Sequence, residues 1–114
     1  MLQEDVLARR IATLAQDEKA LDVSILDIRK LTVLADYFVI ASGRSLLQVR
    51  NLADTIVNTI SEEADLRPLR QEGLAEGKWV VLDYGTIIIH LFRQEEREFY
   101  QLENLWGDAL PLLV

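Results

Sequence analysis

The chain contains no cysteine, two prolines, one methionine and a single histidine among its 114 residues. Without cysteine there is no disulfide scaffold, no thiolate metal site and no thiol nucleophile, and a reducing, cytoplasmic location is expected. Long apolar runs are also missing, and Met1 is followed by Leu2-Gln3-Glu4-Asp5 instead of a basic and then an apolar segment. No membrane span and no export signal are therefore expected. Repeats, low-complexity tracts and linkers are absent, so residues 1–114 read as one domain, long enough to bury a core without metals or cross-links. Positive charge is scarce: 12 Lys and Arg face 19 Asp and Glu, giving −7 at neutral pH. The imbalance sits in the second half, where residues 58–114 carry 11 acids and 5 bases, against 8 and 7 in residues 1–57. A nucleic-acid binder needs Lys and Arg to displace phosphate counterions, so direct RNA or DNA binding is not expected. An acidic chain is instead steered toward a basic protein, including one that itself coats RNA, although net charge also serves solubility alone.

What is present is periodic. Leu7, Ile11 and Leu14, flanked by Ala8 and Ala15, form one stripe of a helix over residues 3–19. Residues 22–28 are β-branched and bounded by charge, which reads as a strand. Residues 36–41 follow as a near-continuous apolar run, the pattern of a strand covered on both faces. Ser45-Leu46-Leu47-Gln48 has the form of a capping box, and Val49, Leu52, Ala53, Ile56 and Ile60 behind it hold a helical stripe. Residues 66–71 predict a short strand that Pro68 places at an edge or a bulge. Strands over 79–83 and 86–92 follow, and then a last helix over 95–106 with Phe99, Leu102, Leu105 and Trp106 turned inward. The expected order is αββαβββα, an α/β (α+β) domain. Apolar residues 110–114 either pack back or touch another chain.

The last two strands carry the functional argument. A two-residue loop at Tyr84-Gly85, with glycine where positive φ is needed, would pair Asp83 with Thr86 and Trp79 with His90. Alternation then places Val80, Leu82, Ile87, Ile89 and Leu91 on one wholly aliphatic face, which must be core. The opposite face collects Trp79, Val81, Asp83, Thr86, Ile88 and His90. Burying Asp83 or His90 unpaired would cost several kcal/mol, whereas an interface favours an aromatic anchor among polar groups. The mixture reads as a binding face. A helix covering this side, with His90 hydrogen-bonded beneath it, is the alternative that composition leaves open.

Catalytic readings have weaker footing. Ser42-Gly43-Arg44-Ser45 lies between a strand and a helix, where amides could hold a phosphate. A nucleotidyltransferase would also need two strand-borne carboxylates one residue apart to hold metals, and the strand after Gly43 supplies none. His90 as a general base oriented by Asp83 or Asp36 has no recognisable nucleophile to serve, and a structural or interface role is preferred. Asp36 reads as a cap for the loop before Tyr37 in preference to a metal ligand. Neither a catalytic residue, a cofactor nor a metal site is assigned.

Three blocks carry a family likeness. They are Ala35 to Ile40 with Ser42, Gly43, Ser45 and Gln48; Glu72, Gly73, Trp79, Asp83, Gly85 and His90; and Arg97, Tyr100, Leu102, Glu103 and Leu105 to Ala109. In that order, over about ninety residues, they resemble the ribosomal silencing factor family (RsfS, Iojap-related). The resemblance implies a mixed five-stranded sheet related in shape to nucleotidyltransferases but without their catalytic carboxylates. It further implies a non-enzymatic protein, homodimeric when free. Such a protein would bind the large ribosomal subunit through large-subunit ribosomal protein fourteen and sterically block the small subunit, repressing translation when nutrients are scarce. On this resemblance Trp79, Asp83 and His90, with their face-mates Val81, Thr86 and Ile88, are the expected partner contacts. Two departures stand out: Thr86 occupies a position where the family usually carries Asp, and the glycine usual near the end of the second helix is absent around Ala64-Asp65. The alternatives are a nucleotide-binding or nucleotidyltransferase-like enzyme using Ser42-Gly43-Arg44-Ser45, and a dimeric adaptor for another protein.

Overall fold

A computed structural model describes residues 3–112 and all their side chains except that of Leu105. The elements are α1 (Glu4–Asp17), β1 (Leu21–Asp27), β2 (Tyr37–Gly43), α2 (Leu46–Ala64), β3 (Arg70–Glu72), β4 (Trp79–Asp83), β5 (Ile87–Arg93), α3 (Gln94–Tyr100), α4 (Leu102–Leu105) and β6 (Leu110–Leu112). They build a six-stranded mixed sheet in the order β3-β4-β5-β2-β1-β6. Only β2 and β5 run parallel, and every other neighbouring pair is antiparallel. The sequence expectation of five strands missed β6, because the apolar tail returns to pair with β1. Of the two fates left open for that tail, packing back holds for residues 110–112, while 113 and 114 lie outside the described residues.

One face of the sheet is closed by α1 and α2, linked to each other by a bidentate Arg10–Glu63 ion pair. Leu7, Ile11, Leu14, Leu52, Ile56 and Ile60 of these helices pack on Val39, Val80, Leu82, Ile87, Ile89 and Leu91 of the strands. The five aliphatics that alternation assigned to this face are all fully buried. Strand β2 is buried at every position, as a near-continuous apolar run demands of a central strand.

The start of α2 is built as its sequence indicated. Ser45 Oγ accepts the Gln48 amide at 3.1 Å, and Gln48 Oε1 accepts the Arg44 amide at 2.6 Å, one residue earlier than the usual reciprocal arm. At the other end Asp65 takes the left-handed conformation (φ 53°) in which glycine would be unstrained. The helix thus ends in a left-handed turn without a glycine.

The last helix departs from expectation. It is broken at Gln101, whose φ of 47° ends α3 and starts α4. Leu102, after the break, is buried and Trp106 half-buried, but Phe99, before it, points outward and is 81% exposed. The inward position expected for Leu105 falls on a side chain outside those described. Arg97 holds this segment to the sheet. Its guanidinium donates to the Asp22 carbonyl, to Ser42 Oγ at 3.0 Å and to the Glu103 carboxylate.

A candidate docking face on the last hairpin

The hairpin between β4 and β5 is two residues out of the expected register. Trp79 stands opposite Phe92, Val81 opposite His90, and Asp83 opposite Ile88. The Tyr84 amide donates to the Ile87 carbonyl, so the turn residues are Gly85 and Thr86, and Tyr84 still belongs to the ladder with its ring against the core. Glycine is needed at the first central position, where φ is +88°. Asp83 reinforces the turn by accepting the Gly85 amide at 2.8 Å. A slip of two residues keeps every side chain on its own face. The grouping of Trp79, Val81, Asp83, Ile88 and His90 therefore survives the wrong pairing, and Phe92 joins it.

That face is only partly open, which corrects the expectation of a wholly uncovered surface. Toward β2 and β1, the Gln94–Ala109 segment roofs it: Leu102, Trp106 and Ala109 pack with Ile28, Phe38, Ile40 and Phe92 in a second, smaller core. Phe92 is fully buried and His90 is 7% exposed, so the imidazole does not reach the surface as an expected partner contact. Toward the β3 edge no such cover is found among the described residues. Trp79, Val81, Asp83 and Ile88 are half-buried and Thr86 is exposed. Strand β3 extends this facet, with Arg70 opposite Asp83 and Glu72 opposite Val81. Arg70 reaches Asp83 at 3.4 Å, a solvent-exposed pairing that contributes little stability and leaves both charges available at the rim.

Trp79 lies at the border between roof and open facet. Its ring packs with Phe92 and Tyr100, each at a centroid distance of 4.9 Å, and Tyr100 in turn meets Phe99 edge-on at 5.1 Å. An aromatic row thus runs from the buried Phe92 out to the exposed Phe99. The sequence reading omitted Tyr100, Phe99 and Arg70 from the site. Tyr100 follows Phe99 on a helix whose break no glycine announces, and Arg70 acquires its place only through pairing with β4.

Gly73 keeps the loop close to the anchor. With φ at +82°, its missing side chain leaves room for the Trp79 carbonyl, which a Cβ would approach to 1.9 Å. Trp79 Nε1 donates to His90 Nδ1 at 3.2 Å. The orienting partner of His90 is thus Trp79, neither Asp83 nor Asp36. Burial pushes the imidazole down to about 4, and Nε2 is buried with no partner among the described residues.

The competing chemical sites are otherwise engaged. Ser42 Oγ accepts from Arg97, and Ser45 caps α2. Asp36 is held through its backbone, its amide donating to the Thr86 carbonyl and its carbonyl accepting the Ile28 amide, while the side chain that caps the loop before Tyr37 is Thr32, whose Oγ1 accepts the Leu34 amide. Among the described residues no group of three His, Asp or Glu side chains could hold a metal ion, and no helix is long and apolar enough to cross a membrane.

Comparison with known proteins agrees with this architecture. The family described as "Ribosomal silencing factor during starvation" (RsfS) matches residues 2–113. The Ribosomal silencing factor RsfS of Bacillus subtilis is 39% identical over 110 residues, covering 96% of this chain and 91% of that protein. The RsfS of Zymomonas mobilis is 41% identical over 103 residues, covering 90% and 77%. A crystal structure of a protein from Chromobacterium violaceum superposes with a TM-score of 0.89 at 29% identity, covering 93% of this chain and 88% of that one. With the match running nearly end to end, the chain belongs to the RsfS family of ribosomal silencing factors.

Proposed function

We propose that this chain is a non-enzymatic, cytoplasmic repressor of translation. In this reading it docks on the large ribosomal subunit through large-subunit ribosomal protein fourteen and occupies space that the small subunit needs. Family membership supplies the ribosome. The observation that carries the docking mode is the open facet of the last hairpin, where a half-buried tryptophan shares its face with Val81 and Ile88 and with the polar side chains of Arg70, Glu72, Asp83 and Thr86. An aromatic anchor inside a polar rim is the anatomy of a protein–protein hot spot. The net charge of −7 favours a basic partner protein and disfavours bare RNA. Steric occlusion requires no turnover, and a homodimer would be a storage form if the same facet served both contacts.

The direct test is binding of the chain to large subunits and to the isolated ribosomal protein. Trp79→Ala should weaken binding by about 2 kcal/mol or more, roughly thirtyfold, while the protein stays folded. Ile89→Ala, on the buried face, should instead lower stability by about 2–5 kcal/mol and leave the affinity of the folded fraction unchanged. The opposite assignment of effects would mean that the wrong side of the sheet has been taken for the docking side.

A further inference from the structure

We propose that His90 is a positioning residue, which accepts the indole N–H of Trp79 and so fixes the ring in its docking orientation, leaving a partner only the ring's carbon surface to meet. The inference rests on the docking reading of this facet and adds to it what sets the anchor's geometry.

Trp79 and His90 sit diagonally on one face, Trp79 opposite Phe92 and Val81 opposite His90. Diagonal cross-strand neighbours are within reach of long side chains, and the indole uses that reach to place Nε1 3.2 Å from Nδ1. An indole nitrogen can only donate. Nδ1 must therefore present its lone pair, and the neutral ring must carry its single proton on Nε2. That second nitrogen is the one buried without a partner among the described residues. Phe38 holds the imidazole edge-on at 4.8 Å and Phe92 lies nearly parallel to it, so the ring is wedged in this orientation.

A side chain kept here for packing alone would not need nitrogen. Leucine or phenylalanine could occupy the second core without leaving a buried donor orphaned. What imidazole adds is one acceptor, and Trp79 is the group that takes it. Burial keeps the ring neutral and the lone pair available at physiological pH. The consequence for recognition is specific. With its N–H already satisfied, the anchor can be buried against a partner pocket that offers no acceptor, with no desolvated donor left behind.

The test follows the Trp79 indole by 15N NMR in the full chain, together with affinity for purified large subunits. In the unsubstituted protein the Trp79 indole N–H should exchange with solvent at least tenfold more slowly than a free indole, and free exchange would overturn the proposal without recourse to any variant. His90→Leu should shift the indole resonance and weaken docking about tenfold. His90→Gln, which restores an acceptor, should recover affinity to within about threefold of the original. In a Trp79→Phe background, where no N–H remains to be held, His90→Leu should produce no further loss. A folded His90→Leu chain that docks with unchanged affinity contradicts the positioning role. If Trp79→Ala also docks normally, the docking reading has failed instead.

Discussion

Acidification should destabilise this fold in a window set by one residue. Burial in the fold pushes the His90 imidazole down from its ordinary 6.5 to about 4. As pH falls between those values, the unfolded state takes up a proton that the folded state refuses, and stability falls by up to about 1.4 kcal/mol per pH unit, roughly 3 kcal/mol in all. Above pH 6.5 the contribution is fully present. Asp27, Glu63 and Glu96, held below their usual range by Arg29, Arg10 and Arg93, add a second loss at lower pH, beneath their ordinary values of 3.8 to 4.5. Urea unfolding at about pH 7 and pH 5 should therefore differ by about 2 kcal/mol. In His90→Leu most of that difference should vanish, and a slope that persists would assign it to other groups. This residue also shows how far single positions are legible. Its face followed from alternation, but its burial did not, because the cover comes from a segment some ten to twenty residues further along the chain.

Among the elements, the roof depends most on one side chain. Arg97, 11% exposed at its side chain, bonds to β1, β2 and α4 at once, and the β1 carbonyl it reaches belongs to Asp22, which stands at an irregularity in the strand with φ at +50°. Arg97→Ala should lower stability by about 2–3 kcal/mol, since it removes hydrogen bonds to a charged partner and leaves the buried Ser42 hydroxyl without this donor. The same change should raise protease cleavage within residues 94–112 before the rest of the chain is cut. Uniform cleavage throughout would show that the roof unfolds only with the whole domain. The elements also mark where sequence reasoning succeeds. Helix α2 carried both a cap and a full apolar stripe, so local chemistry and tertiary demand agreed. The α3–α4 break had no such signal: Gln101 adopts a left-handed conformation that composition does not announce, and a single continuous helix mistakenly turned Phe99 inward. The hairpin lies between these cases. One glycine indicated the turn, and placing it second instead of first shifted the pairing by two while preserving both faces.

At the scale of the whole molecule, charge and topology act together. Among the described residues the sheet's two edge strands are the three-residue β3 and β6, short edges that offer little template for random association. Neither the β6 pairing nor the strand order could be read from local pattern, since both depend on contacts between distant parts of the chain. An acidic domain meeting a basic partner should associate more slowly as salt rises, and affinity for large subunits should fall between low and physiological ionic strength. An affinity indifferent to salt would leave the anchor without electrostatic steering. The central claim is that this chain keeps the two subunits apart by occupying the large one. Sedimentation of purified large and small subunits in the presence of the chain tests it most directly. The account predicts that the chain co-sediments with large subunits, that joined ribosomes decline as it is added, and that Trp79→Ala restores joining. Joined ribosomes forming undiminished while the chain remains bound to them would contradict it.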